Sequence, residues 1–203
     1  MLYAGLDLGQ RHDHSAIAVV ERNDLYRAYE TPAFHSLTVR HVERAPLGTP
    51  YPRVVARVKA VVRSGLSEGG CVLAVDATGV GAPVVDMLRA AAIGCEIAAV
   101  SITGGDRARY LRGVWNVPKK DLMGGLQVLL ERGELKIARE LGQARSLLKE
   151  LADVKAAVSG AGRIRMGAEG GGEHDDLVVA LALACWRARR KQVGFGTQRL
   201  PGI

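Results

Sequence analysis

Apolar residues dominate the first eight positions, Met1 to Leu8, and return at Ala16-Ile17-Ala18-Val19-Val20 after a polar break at Gln10-Arg11-His12. Runs this short and this apolar predict strands over residues 2–8 and 14–21, buried on both faces. A third strand is expected over about residues 25–31, beyond a turn at Arg22-Asn23-Asp24. From Thr31 to Pro50 the pattern loosens. Val54, Val55, Val58, Val61 and Val62 then recur at helical spacing after Tyr51-Pro52, so a helix opens there and ends before Gly69-Gly70. Cys71-Val72-Leu73-Ala74-Val75-Asp76 reads as another buried strand, followed by a glycine-containing loop and a helix to about residue 92.

Residues 97–102 continue the alternation as a strand. A basic, glycine-containing connector over residues 103–117 leads to a helix at Pro118 that stops before Gly133, and a further helix is expected over about residues 139–152. Residues 154–159 and 163–166 around Gly160-Ala161-Gly162 suit a hairpin. A glycine-rich loop, 167–172, feeds a last helix over about residues 174–191, apolar nearly all round from Leu177 to Ala184 and therefore packed deep. Strands first, then alternating helices and strands, predict one α/β domain over residues 2–191 whose sheet has an antiparallel edge, with residues 192–203 as a frayed tail.

Composition narrows the partners. The 203 residues carry a formal net charge of +7, which favours a polyanion, with nucleic acid first among candidates. Aromatic residues make up only 4%, too few for a base-stacking platform, so double-stranded DNA fits better than a single strand. No apolar run reaches the length of a membrane span, and no signal-type segment opens the chain. Cys71, Cys95 and Cys185 lie apart in apolar surroundings without a CxxC spacing, as reduced core thiols of a cytoplasmic protein would.

The chemistry sits in the acids. Asp7 and Asp76 each end a buried strand, and an α/β fold gathers such strand ends into one crevice. Asp175 and Asp176 open the last helix. Each acid also has a plainer reading: a turn acid at Asp7, an Asx turn before Thr78-Gly79 at Asp76, a helix cap at Asp175 or Asp176. Carboxylates that converge repel one another, and hard divalent cations resolve the repulsion. Two Mg²⁺ or Mn²⁺ ions would join that need to phosphodiester cleavage on a basic protein. Arg107, Arg109, Arg112, Lys119 and Lys120 are candidates for gripping the DNA backbone. His174, beside the acid pair, is a candidate for proton transfer, whereas His12 and His14 without a cysteine partner make a weak zinc motif.

Gly5-Leu6-Asp7-Leu8-Gly9 with Asp13-His14-Ser15-Ala16-Ile17-Ala18-Val19, Val75-Asp76-Ala77-Thr78-Gly79-Val80-Gly81, the helix after Pro118-Lys119-Lys120, Glu134-Leu135-Lys136-Ile137, and His174-Asp175-Asp176-Leu177-Val178-Val179-Ala180-Leu181-Ala182 occur in that order. In these pieces the chain resembles the nuclease domain of phage terminase large subunits, within the RNase H-like (retroviral integrase) superfamily that includes the RuvC resolvases. The resemblance implies a mixed five-stranded sheet with helices on both faces. It implies that Asp7, Asp76, Asp175 and Asp176 hold Mg²⁺ or Mn²⁺ for DNA cleavage, with Asp13 helping to hold the second ion. It also implies a phage or prophage protein in a bacterial cytoplasm, with a separate packaging ATPase or portal as partner. The family's P-loop ATPase motif, GxxxxGK[ST], does not occur, and Val179 stands where relatives often carry another aspartate. A RuvC-like Holliday junction resolvase, an actin-like ATPase or sugar kinase fragment, and a non-catalytic DNA-binding module are the rival expectations.

Overall fold

The computed structural model describes residues 1–9, 13–25, 33–65, 70–79, 81–158, 164–168 and 175–190. Strand β1 (Leu2–Asp7) pairs antiparallel with β2 (Ala16–Leu25), and β2 pairs antiparallel with β3 (Ala33–Arg44). Helix α1 (Tyr51–Gly65) then carries the chain to the far side of β1, where β4 (Cys71–Asp76) adds in parallel. Helix α2 (Gly81–Ala90) leads to β5 (Glu96–Thr103), again parallel. These five strands form the expected mixed centre, in the order β5-β4-β1-β2-β3.

The sheet is wider than five strands. Strands β6 (Arg109–Leu111) and β7 (Val114–Pro118) extend one edge, and after α3 (Lys119–Glu131) strand β8 (Leu135–Ile137) extends the other, for eight strands among the described residues. The β6–β7 hairpin turns at Arg112-Gly113, both at positive φ (50° and 83°). That is the backbone of a type I′ turn, whose twist matches the flanking strands. No apolar alternation announces β6, because its three residues are all exposed, so the connector read as irregular.

Strand β3 lies at Ala33–Arg44, inside the stretch expected to be loose, while the strand expected over 25–31 falls, beyond Leu25 at the end of β2, outside the described residues. Two register shifts against β2, between Val19 and Val20 and between Asn23 and Asp24, break the period-two pattern that would have marked β3. Helix α4 (Ala144–Asp153) begins later than the expected 139, and β9 (Val154–Val158) with β10 (Ile164–Ala168) forms the anticipated hairpin as a separate two-stranded sheet. The tail beyond 190 and the glycine-rich loop beyond Ala168 lie outside the described residues.

Two cores flank the sheet. Even-numbered residues of β1 (Ala4, Leu6) and odd-numbered residues of β4 (Cys71, Leu73, Val75) face α1 and α2. The opposite face, with Tyr3, Ala16, Ala18, Val72 and Ala74, is covered by α5 (Asp176–Arg189). Helix α5 lies between the sheet and α3 and α4, and Leu177 through Cys185 are all buried. Its all-round apolar surface follows from that position.

Gly5 sets how near α5 comes to the sheet. A methyl group there would overlap the Ala180 carbonyl oxygen and stand 2.8 Å from the Ala184 nitrogen, so backbone meets backbone. At its other end α5 is tied by Arg22, whose Nη1 donates to the Ala188 carbonyl at 2.6 Å while its backbone N–H donates to Met1 at 3.1 Å. The C-terminus of α5 therefore sits over the start of β1, and its N-terminus over Asp7.

Gly5→Ala is expected to destabilise the protein by about 3 kcal/mol or more, since neither backbone can give way. Gly124→Ala, inside α3 where an added methyl meets open space, should instead stabilise by about 0.5–1 kcal/mol. Urea unfolding of the two variants measures both.

Candidate active site

Four strand positions lie in one row across the sheet. Asp7 pairs with Ala16, Ala16 with Arg44, and Asp76 follows Val75, the partner of Leu6. Neighbours directly opposite in a sheet share a face. Ala16 belongs to the core under α5, so Asp76, Asp7 and Arg44 all stand on the α5 face at the carboxyl ends of β4 and β1. The N-terminus of α5, with Asp175 and Asp176, closes over the same place.

The electrostatics reflect this placement. The Asp7 carboxyl is pushed well above the usual carboxylate range, first by burial, then by the negative charges of Asp76, Asp176 and Asp175. Against these stands the backbone N–H of Leu8. Asp7 is thus held toward its neutral form by the acids predicted to share its site.

The other three acids each have a partner. Asp76 Oδ1 accepts the Thr78 N–H at 2.8 Å, an Asx turn, and Thr78 Oγ1 in turn accepts the Ile102 N–H at 2.9 Å. Gly81 passes so close behind that a side chain would overlap the Asp76 carbonyl oxygen. Asp175 accepts from Lys119 Nζ at 2.8 Å. It occupies the N-cap position of α5 without making a capping hydrogen bond from its side chain, so the plain capping role does not account for it.

Asp176 is 3% exposed, and its Oδ2 lies 3.4 Å from Arg44 Nε. Arg44 also bonds Glu150 through Nη2. Glu150, on α4, accepts the backbone N–H groups of Leu177 and Val178 at 3.0 and 3.2 Å and so caps α5 from another helix. Burial raises the Glu150 carboxyl above its ordinary value, partly offset by Arg44 and the two amides. Neither Arg44 nor Glu150 was singled out in the sequence. Glu150 had a signal: it falls three residues after the buried Leu147, on the apolar stripe of α4. Arg44 had none, since its strand was not expected.

The remaining candidates lie on other elements. Asp13 is exposed on the β1–β2 turn, which Gly9 closes by packing against the Asp13 and His14 carbonyls. His14 Nδ1 lies 2.9 Å from the Ala45 carbonyl. Arg107, Arg109 and Arg112 are exposed on and before the β6–β7 hairpin, and Lys120 is bonded to Asp106 at 2.9 Å. His174 and His12 lie outside the described residues.

Among the described residues no three His, Cys, Asp or Glu side chains converge closely enough to enclose a metal ion. The donor set nevertheless suits a hard divalent cation. It is all carboxylate, and its central member, Asp7, is unfavourable as an anion until positive charge arrives.

Two consequences concern stability. Because the folded state raises the Asp7 value, it holds a proton that the unfolded chain gives up near pH 4, so stability falls as pH rises through that window toward the raised value. Asp7→Asn removes the penalty, and at neutral pH without metal its Tm should exceed the parent's by a few degrees in calorimetry, about 1 kcal/mol corresponding to roughly 2–4 °C at this size. Arg44→Met strands two buried carboxylates and should lower stability by about 3 kcal/mol, measured by urea unfolding.

Solved structures share this architecture. The large terminase nuclease from thermophilic phage G20c with bound magnesium matches over 92% of this chain and 81% of its own, at 24% identity and TM-score 0.61. A mutant nuclease domain of the large terminase subunit gp2 of bacterial virus Sf6, with manganese and β-thujaplicinol, matches over 91% and 87% at 15% identity and TM-score 0.61. The HK97 bacteriophage large terminase matches over 91% of this chain but 38% of its own, at 16% identity and TM-score 0.58. No protein-family model matches the chain, and neither does any curated protein sequence. The resemblance stated on the sequence thus holds for the three-dimensional structure: the chain has the fold of the phage large-terminase nuclease domain.

Proposed function

We propose that the protein is a divalent-metal-dependent endonuclease that hydrolyses phosphodiester bonds in double-stranded DNA. The observation that carries this reading is the position of Asp7, which ends a strand beside Asp76 and lies under the acids of α5, so that burial first and then those acids push its carboxyl up. A buried carboxyl among other acids is unfavourable in a purely structural role. It suits a site that receives cations, and similar folds have been solved with magnesium, cobalt, zinc and manganese.

Asp7, Asp76 and Asp176 are the residues that would hold Mg²⁺ or Mn²⁺, with Asp175 and Asp13 toward solvent. Asp176 acts on Asp7 more strongly than Asp175 does and is fixed in place by Arg44. When bound, the ions supply Lewis-acid charge at the scissile phosphate and lower the pKa of the attacking water. The chain's own residues do the rest. Asp7, raised by burial and its acidic neighbours, would be favoured as an anion once a cation is held there, the Asx turn fixes the Asp76 carboxylate through the Thr78 amide, and Lys119 would balance Asp175 until phosphate oxygens compete for the ammonium. Arg107, Arg109 and Arg112, exposed on and before the β6–β7 edge hairpin, would grip the DNA backbone, making affinity fall as salt rises. A packaging ATPase or portal would be the partner if the protein acts in genome packaging, in the cytoplasm of an infected bacterium. No helix among the described residues is long and apolar enough to cross a membrane.

Plasmid nicking tests the reading. With Mn²⁺, Asp7→Asn and Asp76→Ala should each lower the nicking rate by at least about 10²-fold while circular dichroism and Tm show an intact fold. Cleavage at the parental rate by both variants would overturn it. Cleavage of four-way junctions in strong preference to linear duplex would move the assignment to a junction resolvase.

A further inference from the structure

At the end of the sheet opposite the acids, two of the three cysteines meet. Val72 of β4 pairs with Glu96 of β5, so the residues just before them, Cys71 and Cys95, are neighbours across two parallel strands. Both side chains belong to the core face under α1 and α2. Cys71 is buried at 6% exposure, and Cys95 is partly exposed. Both line an open cavity of about 600 Å³, with Leu88, Arg89, Ile93 and Glu96 around it. The two thiols are free, and each acts on the ionisation of the other, which favours loss of a proton from Cys95 and opposes it at the more deeply buried Cys71.

We propose that Cys71 and Cys95 form a reversible redox pair that closes into a disulfide by exchange with a low-molecular-weight disulfide such as oxidised glutathione. Adjacent strands lie about 4.8 Å apart, inside the roughly 4.4–6.8 Å between Cα atoms that a disulfide spans, so closure needs little backbone movement. The roles follow from accessibility. The partly exposed Cys95 thiolate attacks one sulfur of the small disulfide, forming a mixed disulfide and expelling one small thiol. Cys71 then loses its proton to water, and its sulfur attacks Cys95 Sγ, expelling the second small thiol. The protein gives up two electrons and two protons, and the small disulfide takes both. Cys185, fully buried in α5, has no path to the reagent. The bond would staple β4 to β5 at the end away from Asp76, leaving the acids untouched.

The full-length protein is incubated folded with oxidised glutathione at pH 8, blocked with N-ethylmaleimide, and mapped by mass spectrometry. The parent chain should become lighter by two hydrogen atoms, with Cys71 and Cys95 joined and Cys185 reduced, and dithiothreitol should reverse the change. Cys71→Ser should stop at a glutathione adduct on Cys95, and Cys95→Ser should gain no internal bond. A parent chain that stops at the mixed disulfide, or that consumes no thiol while Cys71→Ser remains folded, overturns the proposal.

Discussion

At Gly5 helix α5 rests on β1 without a side chain between them. There the strand presents only backbone, the Ala180 carbonyl and Ala184 amide come down to it, and any larger residue would push the helix away. The site depends on that closeness. With the helix seated over Gly5 and its C-terminus held by Arg22, its first turn is delivered to the end of the strand two residues on, where Asp7 stands. A helix lifted by a methyl group would carry Asp175 and Asp176 away from Asp7. The smallest residue in β1 therefore controls the charge on the largest problem in the fold.

That problem is four carboxylates at one end of a sheet, and the protein answers it unevenly. Asp175 is balanced by Lys119, Asp176 by Arg44, and Asp76 by the amide of its own turn. Glu150 adds a fifth acid nearby, but it is occupied with Arg44 and the amides that open α5. Asp7 has no balancing cation among the described residues, and burial first, then its acidic neighbours, drive its carboxyl up. Neutralising every acid except the central one leaves a place that is stable enough to fold yet still favours an incoming cation.

The primary acids were legible because they sit where periodicity ends. Asp7 and Asp76 terminate apolar runs, and Asp175-Asp176 precede a helix too apolar to lie on the surface. Those signals are local, and they also defined four of the five central strands, β1, β2, β4 and β5. What supports the acids was not legible, because it comes from register. Arg44 reaches the site only because β3 pairs with β2 through two bulges, and those bulges erased the alternation that would have revealed the strand. Lys119 read as a DNA contact, since nothing in the linear sequence places it against Asp175. Strands β6 and β8, three residues each, are too short for any periodic signal and exist through pairing with an edge already formed. The meeting of Cys71 with Cys95 is of the same kind, invisible at a separation of a whole helix and fixed by parallel register.

The central claim is that Asp7, Asp76 and the first turn of α5 form one cation site. A crystal structure of the protein grown with Mn²⁺, with anomalous scattering collected for the metal, measures this directly. The account predicts anomalous peaks within ligand distance of the Asp7 and Asp76 carboxylates and of an acid of the Asp175-Asp176 pair. Well-ordered carboxylates at saturating Mn²⁺ with no peak among them, or a peak held elsewhere by other residues, would contradict it.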